Sequence, residues 1–181
     1  IDIKGRSANG NQVTKYPIKS VKLKEKGKST LMALKIWYDP NTGRLNKEEH
    51  GQLLGRFAEG DKIIAFYKDG TYELTDFELT NRYETADTLL IEKFRPEQVI
   101  TSVYLDALNH QYYCKRFLVE TQTLKNKFLF IKEGTGNALA LVSTEEEPTA
   151  IVRSGKKKSE WIEERISISE YVDVMGWKAI G

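Results

Sequence analysis

Alternation of apolar and polar residues with period two dominates this chain. In Lys19-Ser20-Val21-Lys22-Leu23-Lys24, Val21 and Leu23 share one face and the lysines the other, the pattern of a half-buried strand. Lys62 to Tyr67 is an apolar run, Lys68-Asp69-Gly70 a turn, and Thr71-Tyr72-Glu73-Leu74-Thr75 a second alternating run. Together they read as a hairpin closed by Asp-Gly. Ala150-Ile151-Val152-Arg153 followed by Ser154-Gly155-Lys156 opens another hairpin, and Val99 to Tyr104 and Ala138 to Val142 are further strands. Helix signals are scarce: Lys47 to Leu54 and Glu160 to Arg165 are the candidates for short helices. Thr144-Glu145-Glu146-Glu147-Pro148 reads as a loop, because the proline stops strand pairing.

The strand patterns repeat. Leu53-Leu54-Gly55-Arg56-Phe57 matches Leu90-Ile91-Glu92-Lys93-Phe94 at an offset of 37, and Ile63, Phe66 and Tyr67 then meet Ile100, Val103 and Tyr104. Extra residues around Leu108 to Gln111 move the offset to 40, where Tyr72 meets Tyr112 and Phe77 meets Phe117. A weaker third copy runs through Phe128-Leu129-Phe130-Ile131 and Ala138 to Val142. The two ends also match: Ile1-Asp2-Ile3-Lys4-Gly5-Arg6-Ser7-Ala8-Asn9-Gly10 aligns without a gap against Val172 to Gly181. Units of this length suit four-stranded blades, so an all-β, propeller-like array is expected. On this reading Trp37, Tyr67, Phe77, Phe94, Tyr104 and Phe117 pack the blades, and Trp177, in the place of Arg6, is partly exposed.

Composition narrows the classes. A 40% hydrophobic share over 181 residues supports a sizeable core, and no apolar run is long enough to span a membrane as a helix. The one cysteine, Cys114, rules out an internal disulfide framework and reads as a small strand residue. Residues 1–181 are taken as one repeat-built domain cut from a longer chain.

Charge is distributed unevenly. The net charge is +2, but residues 1–35 hold nine Lys/Arg against two acids, whereas residues 36–151 hold thirteen against nineteen. The basic residues singled out are Lys15, Lys19, Lys22, Lys24, Lys26 and Lys28, and the run Lys156-Lys157-Lys158 with Arg153 close by. A rim of such residues suits duplex phosphates, contacted by charge and shape without base reading. His50 and His110 lack partners at metal spacing, and no nucleophile or phosphate-loop motif is present. No cofactor or metal is therefore expected in this segment.

Lys4-Gly5-Arg6-Ser7-Ala8-Asn9-Gly10-Asn11, Gly60-Asp61 and the hairpin from Ile63 to Thr75 resemble the blade motifs of the C-terminal domains of bacterial type IIA topoisomerase A subunits. The resemblance implies a β-pinwheel of about four blades, possibly open, that binds and bends double-stranded DNA on a basic rim. It extends the DNA-contact role to Lys4, Arg6 and Lys178. It also implies partners in the catalytic core of the A subunit and in the ATPase B subunit, ATP and Mg2+ used elsewhere in the parent enzyme, and a bacterial, cytoplasmic, nucleoid-associated setting. Catalytic residues would then lie outside this segment. No Q-R-R-G-G-K-G stretch is present, which favours a topoisomerase IV A subunit over a gyrase, and Met175-Gly176-Trp177 departs from the basic form of the motif. Two rivals predict different surfaces. A propeller-like protein-interaction scaffold would scatter its basic residues, and a carbohydrate-active enzyme would need two carboxylates about 5–9.5 Å apart in a cleft.

Overall fold

The Asp-Gly hairpin forms as its pattern predicts. β4 (Ile63–Tyr67) and β5 (Thr71–Thr75) pair antiparallel, with Phe66 opposite Tyr72. Asp69 fixes the turn by accepting hydrogen bonds from the Thr71 amide at 2.9 Å and the Thr71 hydroxyl at 2.6 Å. The structure is a computed structural model that describes residues 15–17, 19–20, 33–155 and 161–178.

This hairpin lies in one of four sheets among the described residues. β1 (Leu34–Asp39), β2 (Arg44–Asn46) and β3 (Gln52–Phe57) form the first, in the order β2-β1-β3. The second is β6-β4-β5-β9, with β6 (Thr88–Lys93) and β9 (Lys127–Leu129) on its edges. The third is β10-β7-β8-β13, built from β7 (Val99–Asp106), β8 (Gln111–Leu118), β10 (Ala138–Ser143) and β13 (Val174–Met175). The fourth is the hairpin of β11 (Thr149–Ser154) and β12 (Ile162–Ser167). Each sheet is open, and the fold is all-β and propeller-like. The one described helix, α1 (Ile168–Tyr171), is a single turn after β12.

The strand order follows one rule. After the β4–β5 and β7–β8 hairpins, the chain first lends a short segment to the previous sheet and then returns to pair with the first strand of its own hairpin; after β11–β12 the lent segment alone is described. Following β4–β5, Arg82 bridges to Arg44 of β2 before β6 returns to β4. Following β7–β8, β9 pairs with β5 before β10 returns to β7. Following β11–β12, β13 pairs with β8, here in the parallel sense. The third sequence copy therefore splits, with β9 in one sheet and β10 in the next.

The return strands share a further detail. Ile36 faces Gly55 and Trp37 faces Leu53, so Leu54 has no partner. Leu89 is skipped in the same way between β6 and β4, and Ala140 between β10 and β7. One extra residue at the same place in three sheets is a repeated β-bulge, which raises local twist and turns each strand toward its neighbour.

β4 shows why the sheets stack. All five of its residues are buried, and alternate side chains enter different cores. Ile63, Ala65 and Tyr67 pack with Ile36, Leu45, Phe57 and Ile91 of the first two sheets. Ile64 and Phe66 pack with Tyr72, Ile100, Phe117 and Phe130 on the opposite face. A strand covered on both faces needs an unbroken apolar run, as Ile63 to Tyr67 supplies. Trp37, Tyr67, Tyr104 and Phe117 are buried, and Phe77 and Phe94 pack against these cores.

Both expected helices are instead turn and strand. Lys47 to Gly51 is a turn in which the Asn46 side-chain oxygen accepts from the Glu48 and His50 amides, with positive φ at Glu49 and Gly51. Gln52 onward is β3. Ile162 to Ser167 pairs residue for residue with β11. Helices of one or two turns are marginal in water, and a full ladder outweighs the helix preference of Glu163, Glu164 and Arg165.

Candidate nucleic-acid interface

The surface is organised by three hairpin turns. In the first, the Asp39 carboxylate accepts from the Asn41 amide at 2.9 Å and the Thr42 hydroxyl at 2.8 Å. The Asn41 amide bond holds the Asp39 carboxyl below its usual range, assisted by Thr42. The turn ends at Gly43, with φ of 69°, whose carbonyl accepts from the Tyr83 amide at 2.8 Å. In the second, the Gly70 carbonyl accepts from the Phe130 amide at 3.1 Å. The third reuses the first: Asp106 accepts from the Leu108 amide at 3.2 Å and the Asn109 side chain at 3.0 Å, and the turn ends at His110 with φ of 52°.

The first two lent segments are thus pinned beside turns. Tyr83 is buried at its seam, its hydroxyl 2.5 Å from that of Thr75, and burial pushes its phenol well above the usual range. At the third seam Lys132 reaches Asp106 at 2.8 Å, and the Lys132 hydrogen bond holds the Asp106 carboxyl low. Lys115 of β8 is buried and donates to the carbonyls of Phe130 at 2.8 Å and Trp177 at 2.5 Å. Desolvation lowers its pKa.

Four of the sequence-predicted DNA contacts lie among the described residues. Lys15, Lys19, Arg153 and Lys178 are all exposed. Arg153 donates to Glu163 across the β11–β12 ladder at 2.8 Å, which occupies part of its charge. Lys178 lies 5.0 Å from the centre of the Trp177 ring. Trp177 itself is half-buried, edge-on to Tyr72 and Phe128 at 6.0 and 5.9 Å between ring centres. Its departure from the basic motif thus serves packing. Lys4, Arg6, Lys22, Lys24, Lys26, Lys28, Lys156, Lys157 and Lys158 lie outside the described residues.

The structure adds two cations that the sequence pattern did not single out. Arg44 on β2 and Arg82 face each other across the first seam, and both are exposed. They line a notch of about 370 Å³ together with Asn41, Thr42, Glu84 and Thr85. Only strand exchange brings them together. The available signal was Tyr83, an aromatic that recurs as Phe130 at the next seam.

Cys114 is a half-buried free thiol, pushed up in pKa by burial. Among the described residues, no cluster of His, Cys, Asp and Glu is arranged to hold a metal, and no helix is long and apolar enough to cross a membrane. No curated protein matches the chain. Residues 44–181, which include both arginines, the second and third turns and the Lys115 clamp, match the family described as the topoisomerase C-terminal domain of Bacteroidota, and the chain belongs to that family.

Proposed function

We propose that this domain is the duplex-DNA-binding and DNA-bending accessory unit of a type IIA topoisomerase A subunit, of the topoisomerase IV kind. It acts as a β-pinwheel that presents DNA to a catalytic core lying outside this segment. The observation that carries the reading is membership of the topoisomerase C-terminal domain family. The charge pattern supports it, with nine basic residues against two acids in residues 1–35.

The mechanism is electrostatic. Lysines and arginines neutralise phosphates and release condensed counterions, which offsets a bending cost of about 1–6 kcal/mol for a short site. Binding is then largely independent of sequence. The test is a gel-shift series on linear duplexes of increasing length at several salt concentrations. A steep fall of log K with log salt, and tighter binding to longer duplexes, supports the reading. A flat salt dependence removes it.

A protein-contact scaffold is the second reading. It draws on an apolar groove of about 690 Å³ between the third sheet and the β11–β12 hairpin, lined by Val103, Leu141, Ile151 and Tyr171 among others. Ile151, Ile162 and Met175 are exposed nearby. In a type IIA enzyme this end of the domain would meet the catalytic core or the B subunit.

A further inference from the structure

The bridge between Arg44 and Arg82 opposes two like charges on an antiparallel pair. Directly opposite residues in such a pair hold their side chains close together, so like charges there repel. Neither guanidinium makes a hydrogen bond or ion pair among the described residues. The surroundings do not compensate fully either. Asp39, which faces Arg44 across the β1–β2 ladder, is already engaged by Asn41 and Thr42. Glu84 alone lines the notch as an acid, and among the described residues no ion pair joins it to either arginine.

The backbone leaves little room to relieve this repulsion. Gly43 and Tyr83, the neighbours of the two arginines, are joined by a 2.8 Å amide-to-carbonyl bond. A side chain at Gly43 would meet the Tyr83 carbonyl oxygen at 2.1 Å, so the two strands are in closest approach here. The arginines are therefore held together by the main chain while their charges push apart. Of the remaining lining, the Asn41 side-chain amide and the Thr85 hydroxyl are groups that can donate, while the Thr42 hydroxyl already donates to Asp39. Paired guanidinium forks with neutral donors between them are what a phosphate oxygen pair accepts from.

We infer that the Arg44–Arg82 notch is a phosphate-binding site, formed only where the segment around Tyr83 crosses onto β2, and that its ligand is a phosphodiester of duplex DNA. The identity of that ligand rests on the DNA-binding reading above; the notch's affinity for phosphate does not. The site differs from the lysine-rich stretches in its chemistry. It is a preformed, two-pronged clamp at a strand-exchange seam, whereas those stretches are point charges on strand and turn patterns.

The test uses three variants of the whole chain, Arg44→Gln/Arg82→Gln, Glu84→Gln and Lys19→Glu/Lys22→Glu/Lys24→Glu, each checked for an unchanged fold by circular dichroism. With duplex DNA, the double arginine variant is expected to lose about threefold or more in affinity per arginine, and its salt slope to fall by about 1.8, or 0.9 for each phosphate released. Glu84→Gln is expected to tighten binding about twofold, a change of sign that loss of structure would not give. Inorganic phosphate is expected to raise the melting temperature of the wild type more than that of the double variant. Unchanged duplex affinity and slope in the double variant, while the lysine reversal weakens binding, overturns the phosphodiester assignment and leaves the DNA reading standing. Wild type that ignores duplex but is stabilised by phosphate through the arginines defeats the DNA reading and leaves a free-phosphate site. Failure of both arms overturns the notch altogether.

Discussion

Lys115 on β8 donates its ammonium to the backbone carbonyl of Trp177, 62 residues later, at 2.5 Å. A second bond from the same nitrogen reaches Phe130, which follows β9. One buried cation therefore ties together two segments that belong to different sheets. It finds no carboxylate partner among the described residues, so its desolvation is offset only by carbonyl dipoles and by the Phe117 ring, whose centre lies 5.6 Å away.

Removing the clamp should separate charge from volume. Lys115→Ala loses both bonds and leaves a cavity, and is expected to destabilise by about 2–5 kcal/mol. Lys115→Met keeps most of the packing and removes the desolvated charge, so its loss should be smaller, about 1–3 kcal/mol for the two carbonyls left without donors. The sign with pH is also fixed. In the folded state the lysine pKa lies below its ordinary 10.5, so between those two values the unfolded chain holds more protons. Raising the pH through that window should favour folding in the wild type, and Lys115→Met should lack this gain. Urea denaturation at several pH values, followed by tryptophan fluorescence, would show it.

Gly43 and Gly70 hold equivalent seams and should respond differently to alanine. A Cβ at Gly70 meets the Ile131 side chain at 2.2 Å, whereas at Gly43 it meets the Tyr83 carbonyl oxygen at 2.1 Å. Both positions have positive φ, of 79° and 69°, which alone costs an L-residue about 1–3 kcal/mol. An isoleucine terminus can rotate away and a carbonyl cannot. Gly43→Ala is expected to be the more destabilising change, and to displace Tyr83 with the Arg44–Arg82 bridge. Thermal melts of the two variants would test the order.

Local pattern carried most of the strand assignments and failed where partners come from elsewhere in the chain. The hairpin from Ile63 to Thr75, the β11–β12 start and the buried aromatics were legible because period and turn chemistry are local. The match of Leu53–Phe57 to Leu90–Phe94 fell on β3 and β6, which pair alike with β1 and β4, but Lys47 to Leu54 read locally as helix, and the shared bulge sets Leu54 against Leu89. Glu163 and Glu164 suggested helix, since nothing local shows that β11 offers them a ladder. Which segments cross between sheets was not legible in local pattern for the same reason, and with it the meeting of Arg44 and Arg82. Trp177 was matched to the place of Arg6, but its packing on Tyr72 and Phe128 depends on contacts distant in sequence.

The turn at Asp106 should fail in acid before the cores do. Its carboxyl is buried and accepts from Lys132, Asn109 and the Leu108 amide. The bond from Lys132 holds its pKa below the ordinary 3.8, so in acid the unfolded chain takes up the proton first. Stability from this group is present above about 3.8 and is lost as the pH falls through the depressed value. Lys132 is raised by the same bond, so its contribution persists until the pH passes 10.5. Asp106→Asn should melt earlier than the wild type at neutral pH, and the gap should close in acid. A gap that stays constant with pH would mean that the carboxylate charge contributes nothing.

Charge reversal at Lys19, Lys22 and Lys24 separates phosphate clamping from a generic basic surface. If the three act on phosphates, the reversed chain loses about three contacts, and the log K against log salt slope should fall by about 2 to 3. Affinity for a long duplex should drop by about tenfold or more at low salt and converge with the wild type at high salt, because the lost term is the screened one. Lys19, the one of the three among the described residues, is exposed, and the melting temperature is expected to hold. Equal slopes for the reversed and native chains would place the DNA-contacting cations elsewhere on the molecule.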